Sequence, residues 1–140
     1  FGADGDLYVT GNKPSEAYLR AITFNIVGLA GTYSAYSADR QFHELLRIAH
    51  PSAYNGLRDS LNRLLDELGN NPTLSIATYI RGDQPVTWTG SEILVPVEKV
   101  RVIGGVIRKF RGNLRIRYAL ENGRFWLTAL QEENFNADIR

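Results

Sequence analysis

The side chains with most chemical reach in this sequence are its two histidines, His43 and His50. They stand seven residues apart, about two helical turns. Nucleophilic catalysis needs a Ser, Thr or Cys beside a base that an acid holds in place. The chain has no Cys and no Gly-x-Ser-x-Gly turn, which removes thiol chemistry, thiolate metal sites and the nucleophile elbow together. Two imidazoles also exclude an all-histidine zinc site. His43 lies beside the apolar residues of its own helix and reads as a surface or boundary residue. His50 precedes Pro51 at a helix end, where an imidazole is expected to satisfy terminal carbonyls.

Carboxylates are equally scattered. Asp66-Glu67 and Glu132-Glu133 are chain neighbours, so each pair points in diverging directions and reads as solvated surface. Asp59 and Asp66 could in principle reach an interior, but their helix positions favour solvent. No EF-hand loop, P-loop, dinucleotide fingerprint or metal-helix motif occurs. The expectation is therefore no catalytic residue, no cofactor and no metal.

One charge cluster stands out. Arg101, Arg108, Lys109, Arg111, Arg115 and Arg117 fall within 17 residues, and Glu121 is the first acid after Glu98. With Phe110 and Tyr118 interleaved, such a hairpin could track a phosphate backbone. The plainer reading is the solvent face of a half-buried sheet, where strand alternation puts charges. Net charge is only +1, which favours a solvated face or protein docking over nucleic acid. The candidate basic patch is Arg108, Lys109 and Arg115. Tyr33, Tyr36, Tyr54, Tyr79 and Trp88 supply aromatic area for either an interface or a core.

The elements that must position these residues fall into two blocks. Ser15 reads as an N-cap, with Glu16 in the first turn, and Leu19, Ile22, Ile26 and Leu29 form one helical stripe that fades over Gly28 to Gly31. Ser37 opens a second helix with Phe42, Leu45, Leu46 and Ala49, stopped by His50-Pro51. Pro51 or Ser52 opens a third through Leu57, Leu61, Leu64 and Leu68, with Gly69 as C-cap before Pro72. From Thr73 the period becomes two. Leu74 to Ile80 alternate, and Val86 to Val95 carry Gly90 as a bend. Val97 to Phe110 read as one strand, bulged at Gly104-Gly105. Leu114 to Leu120 and Phe125 to Ala129 form a hairpin about Asn122-Gly123. That register sets Tyr118 opposite Leu127, Ala119 opposite Trp126 and Arg117 opposite Thr128. The polar stretch from Gln131 onward is expected to fray.

Helices followed by an antiparallel meander make an α+β fold: three N-terminal helices on a strongly curved sheet of about four strands. A chain of 140 residues is one domain, able to bury about two thirds of its unfolded surface. The expected division is a linker over 1–14, a single domain over 15–133 and a polar tail over 134–140. The sequence holds no Met and opens on Phe1, which is read as a processed protein or an excised piece. No segment approaches the ~20 apolar residues that span a bilayer.

Taken together, Ser15-Glu16-Ala17-Tyr18-Leu19, Leu45-Leu46, His50-Pro51, the strand Val100 to Phe110 with Gly104-Gly105-Val106-Ile107, and Glu121-Asn122-Gly123-Arg124-Phe125-Trp126-Leu127 carry a resemblance. Over about residues 15–133 the chain resembles the TraE family of bacterial conjugation proteins, relatives of the VirB-eight-like subunits of type IV secretion systems. The resemblance implies a cytoplasmic N-terminus, one transmembrane helix and a periplasmic domain like nuclear transport factor two. It implies a noncatalytic scaffold of the inner-membrane complex, contacting other secretion subunits and itself, with no nucleic acid and with membrane contact only through the upstream anchor. An Asn-Pro-x-Gly motif of some relatives is not matched, since Asn71-Pro72 runs on to Thr73-Leu74. A contact carried by that motif is thereby in question. Arg111-Gly112-Asn113 reads as a loop shorter than in some relatives. Candidate interface residues are Tyr18, Arg20 and Phe24 on the first helix, with Arg117 and Trp126 on the last hairpin. Two alternatives remain: a ligand-binding or enzymatic cup, and a weak DNA-contacting module on the Arg101–Arg117 hairpin.

Overall fold

The computed structural model describes residues 9–10 and 13–137, so most of the linker expected over 1–14 lies outside the described residues. Within it, β1 (Val9–Thr10) pairs with β2 (Lys13–Pro14) in a small antiparallel ladder. Three helices follow. In α1 (Glu16–Gly31), the Ser15 hydroxyl accepts from the Tyr18 N–H at 3.0 Å, the cap that the sequence implies. The helix ends where Gly31 meets the sheet. A Cβ there would lie 2.7 Å from that of Thr78, whose hydroxyl donates to the Gly31 carbonyl at 2.8 Å.

After β3 (Tyr33–Ser34) comes α2 (Ala38–Leu46), where Ser37 does not cap through its side chain. Its hydroxyl instead accepts from the Ser34 N–H at 3.2 Å, closing the turn before the helix. The third helix, α3 (Tyr54–Asn70), starts later than Pro51 or Ser52. Those residues form a turn closed by the Ala53 N–H on the His50 carbonyl, with Ser52 held by the His50 ring. At its far end Gly69 is helical. Asn71 is the cap, its side-chain amide donating to the Glu67 carbonyl at 3.0 Å.

The remaining strands are β4 (Ser75–Ile80), β5 (Thr87–Trp88), β6 (Glu92–Ile103), β7 (Val106–Glu121) and β8 (Arg124–Ala137). With β3 they make one six-stranded antiparallel sheet in the order β3-β4-β6-β7-β8, β5 pairing with β6. Six strands replace the four expected: the two-residue β3 between α1 and α2 joins the sheet, and tight turns separate β5 from β6 and β6 from β7. Gly90 sits in the turn from β5 to β6, where the Thr89 N–H reaches the Glu92 carbonyl at 2.8 Å. Gly104-Gly105 is a hairpin turn rather than a bulge, with φ of +55° and +80°, which only glycine adopts freely.

Conversely, Arg111-Gly112-Asn113 is no loop: β7 runs straight through it, and the bulge lies on β8, where Asn134 and Phe135 oppose the single Gly112. A second bulge at Arg117/Tyr118 shifts the register, so Arg117 faces Ala129 instead of Thr128; Tyr118–Leu127 and Ala119–Trp126 pair as expected. Such bulges add twist, and they help long β7 and β8 curl. The polar tail does not fray within the described residues. Asn136 and Ala137 pair with Arg111 and Phe110, and Phe135 packs against Gly112.

Helices cover one face of the curled sheet. Ile22, Ile26, Phe42 and Leu45 share one buried cluster with Ile93, Val95, Ile116 and Leu127. Each such side chain contributes about 1.5–3 kcal/mol by leaving water. This core fixes which residues of each strand point inward and leaves the alternate ones outside.

Candidate functional site

Three surfaces gather the residues of interest. The first is the outer side of the β7–β8 hairpin. Segment Ile48–His50 lies along the edge of β8: the His50 N–H donates to the Leu127 carbonyl at 2.8 Å, and the Leu127 N–H to Ile48 at 2.7 Å. This brings the His50 ring to Glu121, Nε2 lying 3.1 Å from Oε1, while Nδ1 meets the Ser52 hydroxyl at 2.7 Å. The imidazole therefore bridges two elements rather than satisfying helix-end carbonyls. Its ring meets Trp126 edge-on at 5.7 Å, and the Arg124 guanidinium covers that indole at 4.0 Å. Trp126 is half-buried by these neighbours. His43, by contrast, is exposed on α2, as are Asp59 and Asp66 on α3.

Arg117 is exposed on the same outer sheet face, 3.7 Å from Glu92. Beside it Arg115 donates to Glu133 at 2.7 and 2.9 Å and to Glu92 at 2.5 Å. These bonds pull the Glu92 and Glu133 carboxyls below their ordinary range and push the guanidinium up. Arg115 is thus neutralised locally and does not join Arg108 and Lys109, which sit six to seven residues away along the strand, about 20 Å. The candidate basic patch is split in two.

The second surface is the outward side of α1. Phe24 is 58% exposed, and Arg20 pairs with Glu16 at 3.2 Å. Together with Pro85, Val86 and Trp88 they line a shallow groove of about 360 Å³. Tyr18 is set apart from them, half-buried at the start of α1. Its phenol is pushed up by burial, opposed by nearby Arg124 and the Phe125 backbone. The five candidate interface residues therefore form no single surface. Arg20 and Phe24 share one, Trp126 and Arg117 lie on the last hairpin, and Tyr18 lies between α1 and that hairpin's turn.

The third is the cup between helices and sheet. A cavity of about 260 Å³ is lined by Tyr33, Leu57, Leu61, Leu114 and Leu130, with Lys99 and Glu132 paired at 2.9 Å on its polar side. Burial, reinforced by Glu132 and Glu67 and partly opposed by Arg101, pushes the Tyr33 phenol up to about 12, so it stays a neutral donor. The space is smaller than the ~300–1,000 Å³ of most ligand pockets. Among the described residues no group of three or more His, Asp or Glu could hold a metal ion.

Sequence reading missed the His50–Glu121–Trp126 cluster, whose members are 71 residues apart between His50 and Glu121. The only local signals were His-Pro at a helix end and an Asn-Gly turn.

The protein family described as TraE protein matches residues 2–132. Among solved structures, the soluble domain of TrwG from Bartonella grahamii is 11% identical, covers 93% of this chain and 99% of its own, and superposes with a TM-score of 0.70. Agrobacterium tumefaciens VirB8 is 12% identical, with coverage of 95% and 97% and a TM-score of 0.67. A TraE protein solved in complex with 2-(2-furyl)isonicotinic acid is 13% identical, with coverage of 89% and 97% and a TM-score of 0.61. At these identities the likeness establishes the fold alone, three helices on a curled antiparallel sheet in the manner called nuclear-transport-factor-two-like. No curated protein matches in sequence.

Proposed function

This chain belongs to the TraE family of type IV secretion proteins, and on that premise we propose that it is a noncatalytic scaffold subunit of the inner-membrane complex. It works on the periplasmic side by contacts with other secretion subunits and with itself, through the single domain over 15–133. No described helix is long and apolar enough to cross a membrane. The observation that carries the reading is the placement of aromatic area. Phe24 stands outside the core beside the Trp88 groove, while the two charged groups lining the cup, Lys99 and Glu132, are paired with each other.

A mating assay with the intact gene tests this. An aromatic anchor at an interface is worth about 2 kcal/mol or more. Phe24→Asp and Trp126→Ala are therefore expected to lower transfer at least about tenfold at normal protein levels, and His43→Ala to leave it unchanged. Transfer untouched by both substitutions overturns the reading, as does any turnover lost on Glu132→Gln.

Ligand binding is the second reading, and the cup cavity with Lys99 on its polar side favours it. The TraE protein solved with an isonicotinic acid suggests the ligand class, a small aryl carboxylate. Lys99 is already satisfied by Glu132, which ranks this reading below assembly. Methyl shifts of Leu114 and Leu130 during an isonicotinic acid titration decide it.

A further inference from the structure

We infer that His50 is a proton-operated latch: it moves the connector into α3 between two bonding states and so reaches the wall of the cup. The Ser52 N–H donates to Nδ1 at 3.1 Å, so that nitrogen carries no proton. Nε2 faces the Glu121 carboxylate at 3.1 and 3.2 Å, which requires a proton there. Two contacts from different elements thus demand the same neutral tautomer. A second proton can enter only at Nδ1, where it meets the Ser52 N–H head-on. That backbone bond is then lost, and the Ser52 hydroxyl at 2.7 Å turns from donor to acceptor. At the same time the bond from Nε2–H to Glu121 becomes charge-assisted and stronger. Protonation exchanges a bond within the connector for a tighter tie to the β7–β8 hairpin.

The connector passes this change to α3. Ala53 donates its N–H to the His50 carbonyl at 2.8 Å and is the N-cap of α3, where the Leu57 N–H closes the first turn on its carbonyl at 3.0 Å. No side chain caps this entry, so its position follows the connector. Leu57 is buried and, with Leu61, lines the cup cavity. Three elements face the imidazole. From β7 comes Glu121, from β8 the Trp126 ring with Arg124 over it, and from the connector the uncharged Ser52. Among the described residues no other carboxylate lies within 4 Å of the ring. An imidazole changes charge between about pH 5 and about pH 8, and the only other one, His43, stands exposed on α2 without these contacts.

The latch does not depend on the assembly reading, and its test uses the whole chain. Nuclear magnetic resonance from about pH 8 down to about pH 5 follows the His50 ring nitrogens, the Ser52 amide and the Leu57 methyls. The expected result is the Nε2–H tautomer at the upper end, then one titration step shared by all three reporters. His43→Ala is expected to leave that step in place and His50→Gln to abolish it. Glu121→Gln still accepts from Nε2–H and is expected to keep the Ser52 response, because the carboxylate is not the group that takes the proton. Ser52→Ala keeps the N–H but leaves the protonated Nδ1 without an acceptor, so the Leu57 shift is expected to grow. If His50→Gln melts early, His43→Ala and Glu121→Gln still decide. An Nδ1–H tautomer at the upper end overturns the inference, as does a ring that titrates while Ser52 and Leu57 stay still. So does loss of the step in His43→Ala or in Glu121→Gln, or no growth of the Leu57 shift in Ser52→Ala. The Phe24 and Trp126 mating experiment is unaffected by any of these outcomes.

Discussion

The imidazole of His50 and the carboxylate of Glu121 meet at 3.1 Å across 71 residues of chain. That contact joins the connector between α2 and α3 to the turn of the β7–β8 hairpin, and Trp126 closes over it. The helical layer and the last hairpin are thereby tied at the edge of the sheet, not only through the core.

Loss of this tie is measurable. His50→Ala removes the Glu121 and Ser52 bonds and the edge-on Trp126 contact and is expected to cost about 1–2 kcal/mol. Urea denaturation checks the value. Trp126 fluorescence is expected to shift to the red as the ring gains water, and an unchanged midpoint would count against the tie.

Acid sensitivity is expected from the Arg115 network. Glu92 and Glu133 have folded carboxyls held below their ordinary value of 4.5. Their contribution is therefore complete above that value and is lost as pH falls from it through the lower folded range. Arg115→Gln removes the shared partner, so the drop in melting temperature between about pH 6 and about pH 3 is expected to shrink. Thermal melts across that window test it.

At the alkaline end Tyr33 behaves in the opposite sense. Its phenol is raised from 10.0 to about 12, so its contribution is complete below 10.0 and is lost as pH climbs through about 12. Tyr33→Phe keeps the edge-on ring contact with Phe42, 5.0 Å away, and removes the ionisable group. Ultraviolet titration is expected to lose its latest phenolate step in this variant, and unfolding at high pH to begin later.

Gly112 is required by the close approach of β8. A Cβ there would strike the Phe135 ring and stand 2.8 Å from the Glu133 carbonyl oxygen. Gly112→Ala is expected to destabilise by about 1–3 kcal/mol. Phe135→Ala in the same background recovers part of that and not all, because the backbone oxygen stays. A double-mutant cycle by denaturation measures the coupling.

Much of the fold was legible because helix and strand periods are written in neighbouring residues. Leu19, Ile22 and Ile26 lie on one stripe whatever they pack against, and Leu120 faces Phe125 once Asn122-Gly123 turns the chain. Misreadings cluster at glycines and polar runs. Gly104-Gly105 serves a turn and Gly112 a continuous strand, and a residue without a side chain carries no period to tell these apart. Glu133 and Asn136 look like tail until β7 is seen to be long enough to pair with them. The candidate patch failed for the same reason. Arg115 and Arg108 are alike in sequence, and only the arrival of Glu92 and Glu133 from two other strands shows that Arg115 is neutralised.

The order of elements, the apolar stripe of each and membership of the family were thus present in the chain itself, since all three rest on local spacing or on runs of neighbouring residues. Which charges cancel, which aromatic rings stay outside and which strands pair were decided by tertiary structure. Those are properties of pairs brought together from distant positions, and bulges of a single residue move every such pair downstream of them.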